Sequence, residues 1–163
     1  MKPRVHLETT IVSYLTARSS SDVLLAVHQQ LTMEWWAQHR SRFEVFASDL
    51  VLLEASRGDR AAASKRLAEL AEISVLQTNE ETRELAREFV NRWLFPKKAV
   101  EDAFHVAIAT VQGMDFLLSW NCRHIANAEI AEQLRSTCEQ LGYKMHKMPI
   151  LIYAGAIDGI LRG

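Results

Sequence analysis

Three carboxylates and one amide, far apart in the chain, stand where chemistry is commonly built. Glu8 falls in the stretch Arg4-Val5-His6-Leu7-Glu8-Thr9-Thr10, which reads as a short buried strand delivering an acid and two hydroxyls at its exit. Glu54 lies one to two turns into the helix that follows a second strand. Asp102 is in the first turn of the clearest helix in the sequence, and Asn121 directly follows a fourth strand in Ser119-Trp120-Asn121. Carboxylates gathered in one place repel and raise one another's pKa unless a cation neutralises them. Hard divalent ions, Mg²⁺ or Mn²⁺, take oxygen ligands and keep waters for a phosphate substrate. Such an ion polarises a phosphoryl oxygen and turns a bound water into a nucleophile. Asn121 would ligate through its neutral carbonyl or through water. Each residue also has a plainer alternative. Glu8 suits a helix dipole, Glu54 an ion pair with Arg57, Asp102 a solvated first turn and Asn121 an ordinary turn. Their joint recurrence near strand exits favours a site.

The elements that must position them alternate. After the first strand, Thr9 or Thr10 caps a short helix through Ile11, Val12, Tyr14 and Leu15. Asp22 opens a long helix with Val23, Ala26, Val27, Leu31, Trp35 and Trp36 as its apolar residues. Arg42 to Ser48 is a strand, and Ser48 or Asp49 caps the helix that carries Glu54. Asp59 to Glu72 is helical, Ile73 to Leu76 a third strand, and Glu80 to about Trp93 a helix stopped by Pro96. In Ala99 to Gln112, Val100, Ala103, Phe104, Ala107, Ile108 and Val111 share one helical face. Phe116-Leu117-Leu118-Ser119 is a strand covered on both faces. Ala126 to Leu141 is a helix, Tyr143 to Met148 a candidate fifth strand, and Pro149 to Gly163 is left unplaced. Strands alternating with helices imply an α/β fold, a parallel sheet of about five strands between two helical layers.

The 163 residues suit a single domain, residues 1–163, with its core between about 4 and 148. Hydrophobic residues make up 48% and charged ones 24%, an ordinary globular mix. No secretory h-region follows Met1-Lys2-Pro3-Arg4, and the longest apolar run, Met148 to Ile157, is too short to span a bilayer. Cys122 and Cys138 lack metal-ligand spacing and read as reduced thiols of a cytoplasmic protein. With a formal net charge of -1, any affinity for nucleic acid must come from local basic patches.

Four segments resemble the signature blocks of PIN domains, in that family's order and spacing. They are Val5-His6-Leu7-Glu8-Thr9-Thr10, Leu53-Glu54-Ala55-Ser56-Arg57, Glu101-Asp102-Ala103-Phe104-His105-Val106-Ala107-Ile108-Ala109 and Leu117-Leu118-Ser119-Trp120-Asn121-Cys122-Arg123-His124-Ile125. The third is the most specific, and only the last fifteen or so residues lack the usual ending. PIN domains of this size are typically VapC-like toxins of type II toxin–antitoxin systems. The resemblance implies an α/β/α sandwich and an Mg²⁺- or Mn²⁺-dependent endoribonuclease, usually homodimeric and inhibited by an antitoxin. It makes Glu8, Glu54 and Asp102 the acidic metal-site residues, puts Asn121 at the fourth polar position and Thr10 at the hydroxyl position after the first acid. Two departures stand out: Glu8 occupies a position usually held by the shorter Asp, and Asn121 removes a charge often present.

Around the acids, Lys97, Lys98, Arg57 and Arg123 are candidates to hold RNA phosphates, with a solvated charged loop as the alternative for the two lysines. His105, three residues beyond Asp102, is expected to be packed or hydrogen-bonded, since a hard-metal site does not call for imidazole. Trp35, Trp36 and Trp93 are expected in the core or a dimer interface rather than as base-stacking platforms. The rival to a nuclease is a non-catalytic PIN-like module that binds RNA or protein. A small-molecule phosphotransfer enzyme would need an Asp at the first strand exit, where Glu8 stands.

Overall fold

Five short parallel strands carry the architecture. A computed structural model describes residues 1–143 and 150–152 of the chain. In it β1 (Arg4–Leu7), β2 (Glu44–Ser48), β3 (Ser74–Leu76), β4 (Phe116–Leu118) and β5 (Ile150–Ile152) form one sheet in the order β3-β2-β1-β4-β5. β1 is central: His6 lies opposite Phe46 of β2 on one side and Leu117 of β4 on the other. The sheet therefore grows outward from β1 to β3, then returns across β1 to β4 and β5. The carboxyl ends of β1 and β4 flank the point where the order reverses, the place at which open α/β sheets bind ligands.

Alternation along each strand divides the core into two layers. Val5, Leu7, Phe116 and Leu118 face one side, packed with Ile11, Trp35 and Phe43. Helices α1 (Thr9–Thr16), α2 (Val23–Glu34), α3 (Asp49–Ala55) and α4 (Arg60–Leu70) contribute to that side, where Val12, Val51, Ala55 and Leu70 surround Ala47. Leu117 faces the other, against α5 (Glu80–Asn91), α6 (Val100–Val111) and α7 (Ala128–Gln140). The expected three-layer sandwich is the one found. Asp22, Ser48, Asp59 and Asn79 accept N–H bonds as caps of α2, α3, α4 and α5.

The structure corrects the sequence reading in several places. The cap of α1 is Glu8, not Thr9 or Thr10: its Oε2 accepts the Thr10 N–H at 3.2 Å. A fifth strand runs over Ile150–Ile152, in the stretch left unplaced from sequence; of the expected strand Tyr143 to Met148, residues 144–148 lie outside the described residues, as does the tail 153–163. Helix α2 leaves Val23 and Val27 exposed and buries Gln29 and Thr32 instead. Those two are satisfied far along the chain or locally: the Gln29 amide donates to the Arg18 carbonyl at 2.9 Å, and the Thr32 hydroxyl donates to the His28 carbonyl while accepting the Trp120 indole N–H at 2.7 Å. Periodicity alone cannot foresee a polar face buried by such partners. Val100 is also exposed, at the start of α6, whereas His105 and Thr110 join that helix's buried set. Trp35 is in the core and Trp36 packs beside it, but Trp93 stands in solvent.

Leu117, fully buried in the central pair of strands, supports the α5–α7 layer. Leu117→Ala is expected to cost about 2–5 kcal/mol, read as a lower urea midpoint with an unchanged slope.

Candidate functional site

Glu8 leaves β1 with its carboxylate turned inward, only 4% exposed. Its Oε2 accepts the Thr10 N–H, the Thr10 hydroxyl at 2.5 Å and the Ser119 hydroxyl at 2.8 Å. The backbone closes the same junction, since the Glu8 N–H donates to the Leu118 carbonyl at 3.0 Å. Thr10 in turn accepts the Trp120 N–H at 2.9 Å, so its hydroxyl is committed on both sides. Ser119 accepts the Asn121 N–H at 2.9 Å. The two strand exits at the switch point are thus tied through one carboxylate.

The other acids are held in the same manner. Glu54, in the last turn of α3, uses Oε1 to accept the Thr9 hydroxyl at 3.1 Å and to meet His105 Nε2 at 2.5 Å. Asp102, in the first turn of α6, meets His124 Nδ1 through Oδ2 at 2.9 Å. Asn121 Oδ1 accepts the His124 N–H at 3.1 Å, fixing the turn after β4. A continuous path therefore runs from Glu8 through Ser119, Asn121 and His124 to Asp102. Among the described residues, hydrogen bonds reach one oxygen of each acid and leave Glu8 Oε1, Glu54 Oε2 and Asp102 Oδ1 open.

His105 bonds Glu54 and feels the charges of Glu8 and Asp102. It is fully buried on α6, and burial opposes its protonation. The hydrogen bond it donates to Glu54 and the charges of Glu8, Glu54 and Asp102 outweigh that and hold its pKa above the ordinary 6.5. Burial likewise pushes Glu54 up, but His105, Thr9 and Arg57 together bring it below the ordinary 4.5. His6, on the central strand with its ring 6.0 Å from that of His105, is driven down to about 3 by burial and by His105, so it is neutral. Both nitrogens of His6 and Nδ1 of His105 are buried without a partner.

The predicted phosphate contacts divide. Arg57 pairs with Glu101 at 2.9 Å, rather than with Glu54, and both are about half exposed. Lys97 and Lys98 form an exposed 3-10 turn before α6, and Arg123 is exposed after β4. Leu50, Leu53, Val100 and Phe104 line an apolar groove of about 350 Å³ between α3 and α6. Reasoning from sequence missed Ser119, Thr9 and His124 as partners of the acids. Ser119 had a signal, its place at a strand exit beside Glu8; Thr9 and His124 had only their proximity to named residues. Both cysteines are free, and among the described residues no helix is long and apolar enough to cross a membrane.

Does this donor set suit a metal? The open atoms are carboxylate oxygens, hard donors, each anchored by a hydrogen bond on its sister oxygen, the arrangement that orients ligands from behind. Among the described residues no three His, Cys, Asp or Glu side chains form a ready-made cage. Mg²⁺ does not require one, because it keeps several waters and takes only one or two carboxylates directly. The residues fit a hydrated hard cation.

An open parallel sheet with acids at its switch point defines the structural class. The solved structures include a toxin, VapC20 of Mycobacterium tuberculosis, described as cleaving the sarcin–ricin loop. The match has a TM-score of 0.57 at 18% identity and covers 75% of this chain and 93% of that one. The likeness establishes a VapC-like, PIN-type fold. No protein-family model and no curated protein matches the sequence.

The His105–Glu54 pair predicts a pH dependence for the metal-free protein. Because the folded pKa of His105 is raised, its contribution is complete below pH 6.5 and is lost as pH rises through the elevated value. Because that of Glu54 is lowered, its contribution is present above pH 4.5 and lost as pH falls through the depressed one. His105→Gln should flatten the alkaline limb of stability, read as denaturation midpoints between about pH 6 and 9; parallel profiles for the two proteins would contradict this.

Proposed function

We propose that the chain is a divalent-metal-dependent endoribonuclease, the toxin of a type II toxin–antitoxin pair. One observation carries the reading: Glu8, Glu54 and Asp102, from three separate elements, each keep one oxygen free of hydrogen bonds among the described residues, and all three act on the buried His105, Glu54 by direct contact and the other two through their charge. The fold it shares with a toxin that cleaves RNA supports the same conclusion.

Glu8, Glu54 and Asp102, with Asn121 directly or through water, would hold the ion. Bound Mg²⁺ or Mn²⁺ supplies a polarised phosphoryl oxygen and a water of lowered pKa. The chain's own residues do the positioning. Ser119 and Thr10 lock the Glu8 rotamer, His105 and Thr9 lock Glu54, and His124 locks Asp102. The longer Glu8 side chain starts one methylene further back than an Asp, and its threefold anchoring offsets the added freedom. Lys97, Lys98 and Arg123 are exposed cations suited to phosphates on either side of the cleaved one. Arg57 must exchange Glu101 for a phosphate to do the same. The apolar groove between α3 and α6 suits an antitoxin segment or a second copy of the chain in a homodimer.

A second reading, a non-catalytic module that binds RNA or protein, draws on the lack of a ready-made cage among the described residues. Cleavage separates the two. Purified protein with Mn²⁺ should cut structured RNA, and Asp102→Asn should lower the rate by about a hundredfold or more, since loss of supporting residues behind a metal already costs 10–100-fold. Equal cleavage by both proteins removes the mechanism. RNA binding that persists without binding of Mg²⁺ or Mn²⁺ at millimolar concentration establishes the second reading.

A further inference from the structure

Three helices on one face of the sheet end in the same turn, and one of them ends on the wrong residue. At the end of α6, the Gly113 N–H donates to the Thr110 carbonyl at 3.2 Å and the Met114 N–H to Ala109 at 2.9 Å, with Gly113 at φ 65. At the end of α7, Gly142 and Tyr143 repeat the pattern on Glu139 and Cys138 at 3.0 and 2.8 Å, with Gly142 at φ 87. This is the Schellman motif, whose left-handed position favours glycine because a Cβ there is strained. At the end of α5 the same two bonds run from Trp93 to Val90 and from Leu94 to Phe89, at 3.1 and 3.0 Å. The left-handed residue is Trp93, φ 62, and it is 83% exposed.

Two costs coincide at that position. A bulky side chain occupies a backbone region meant for glycine, and a large apolar ring is left in water. Neither is repaid within the described residues. The next two residues fix the turn itself: Leu94 packs against the core, and Phe95 is buried with its ring 6.2 Å from that of Phe89. With Leu94 and Phe95 turned inward, the indole must point out. Its neighbours along the chain are mainly polar and charged, with Arg92 paired to Glu88 on one side, Lys97 and Lys98 on the other, and Leu94 half-buried. Asn91, Pro96, Lys97 and Lys98 are exposed, and among the described residues neither lysine has an ion-pair partner. An exposed aromatic ring beside unpaired lysines is the composition that binds unpaired nucleotides, where bases stack on the ring and phosphates meet the cations. A subunit interface would surround the ring with further apolar residues.

We propose that Trp93 is a base-stacking platform for single-stranded RNA, with Lys97 and Lys98 holding the adjoining phosphates on the connector that leads into the Asp102 helix. The assignment rests on the nuclease reading and reverses the expectation that Trp93 belongs to the core or a dimer interface.

The test uses the full chain carrying Asp102→Asn, so that RNA is not consumed, with Mg²⁺ present. The probes are a fluorescent RNA hairpin with an unpaired loop and a fully paired duplex, read by anisotropy. Adding Trp93→Gly should weaken hairpin binding about tenfold, with duplex affinity unchanged and a melting temperature no lower than the parent's, because glycine relieves the strained turn. Trp93→Ala should show the same loss in the original backbone, and Trp93→Phe should recover most of it. Hairpin affinity within about twofold of the parent for Trp93→Gly overturns the assignment while leaving the nuclease reading intact. So does a loss accompanied by dissociation of the oligomer in sedimentation, which makes the ring a subunit contact. A parent that binds neither RNA overturns the assignment, and the nuclease reading is then decided separately by whether the unsubstituted chain cuts RNA with Mn²⁺.

Discussion

A carboxylate buried between the two central strands is the constraint on which the site depends. Glu8 sits where β1 and β4 end side by side, almost without access to water. A charge in that position is tolerable only if donors replace its hydration. Thr10 and Ser119 supply them, and each spends its hydroxyl hydrogen on the same oxygen, Oε2. The bonds work in both directions: they keep Glu8 in place, and they fix the path of the chain after each strand. The α1 helix starts from Glu8 as its cap, and the turn carrying Asn121 starts from Ser119. Structure and prospective chemistry share the same few atoms.

Around that junction the acids are balanced by an imidazole rather than left to repel one another. His105 faces Glu54 directly and feels Glu8 and Asp102 as well. Its neighbour His6 lies beside it in the core and is neutral. This arrangement accounts for how three carboxylates coexist in the metal-free chain.

Much of this was legible in the sequence, for identifiable reasons. β-branched and aromatic runs marked β1, β2 and β4, and apolar spacing marked α6; caps such as Ser48 and Asn79 marked helix starts. Glu8 and Asn121 were visible because they follow β1 and β4 at one edge of a parallel sheet. Glu54, in the last turn of α3, and Asp102, on a helix that follows α5 rather than a strand, were visible through the blocks that resemble PIN domains. What escaped depends on contacts across the chain. The pairing of Arg57 with Glu101, the seating of Thr32 beneath Trp120, and the hold of His124 on Asp102 join residues distant in sequence, and composition carries no trace of them. β5 escaped for a different reason: the apolar stretch containing Ile150–Ile152 reads equally well as strand or buried helix until the sheet offers an open edge beside β4. That Trp93 lies outside the core was not legible, because a large aromatic residue is ordinarily evidence of burial; its exposure at the left-handed end of α5 leaves the interface half of the expectation standing.

The central claim is that distant segments deliver their free carboxylate oxygens to a common cation. Anomalous scattering from crystals of the full chain soaked in Mn²⁺ tests it most directly. An ion in the crevice bordered by Glu8, Glu54 and Asp102, lost on Asp102→Asn, is the predicted result. Manganese bound only elsewhere, or not at all in well-ordered crystals with that crevice open to solvent, would contradict it.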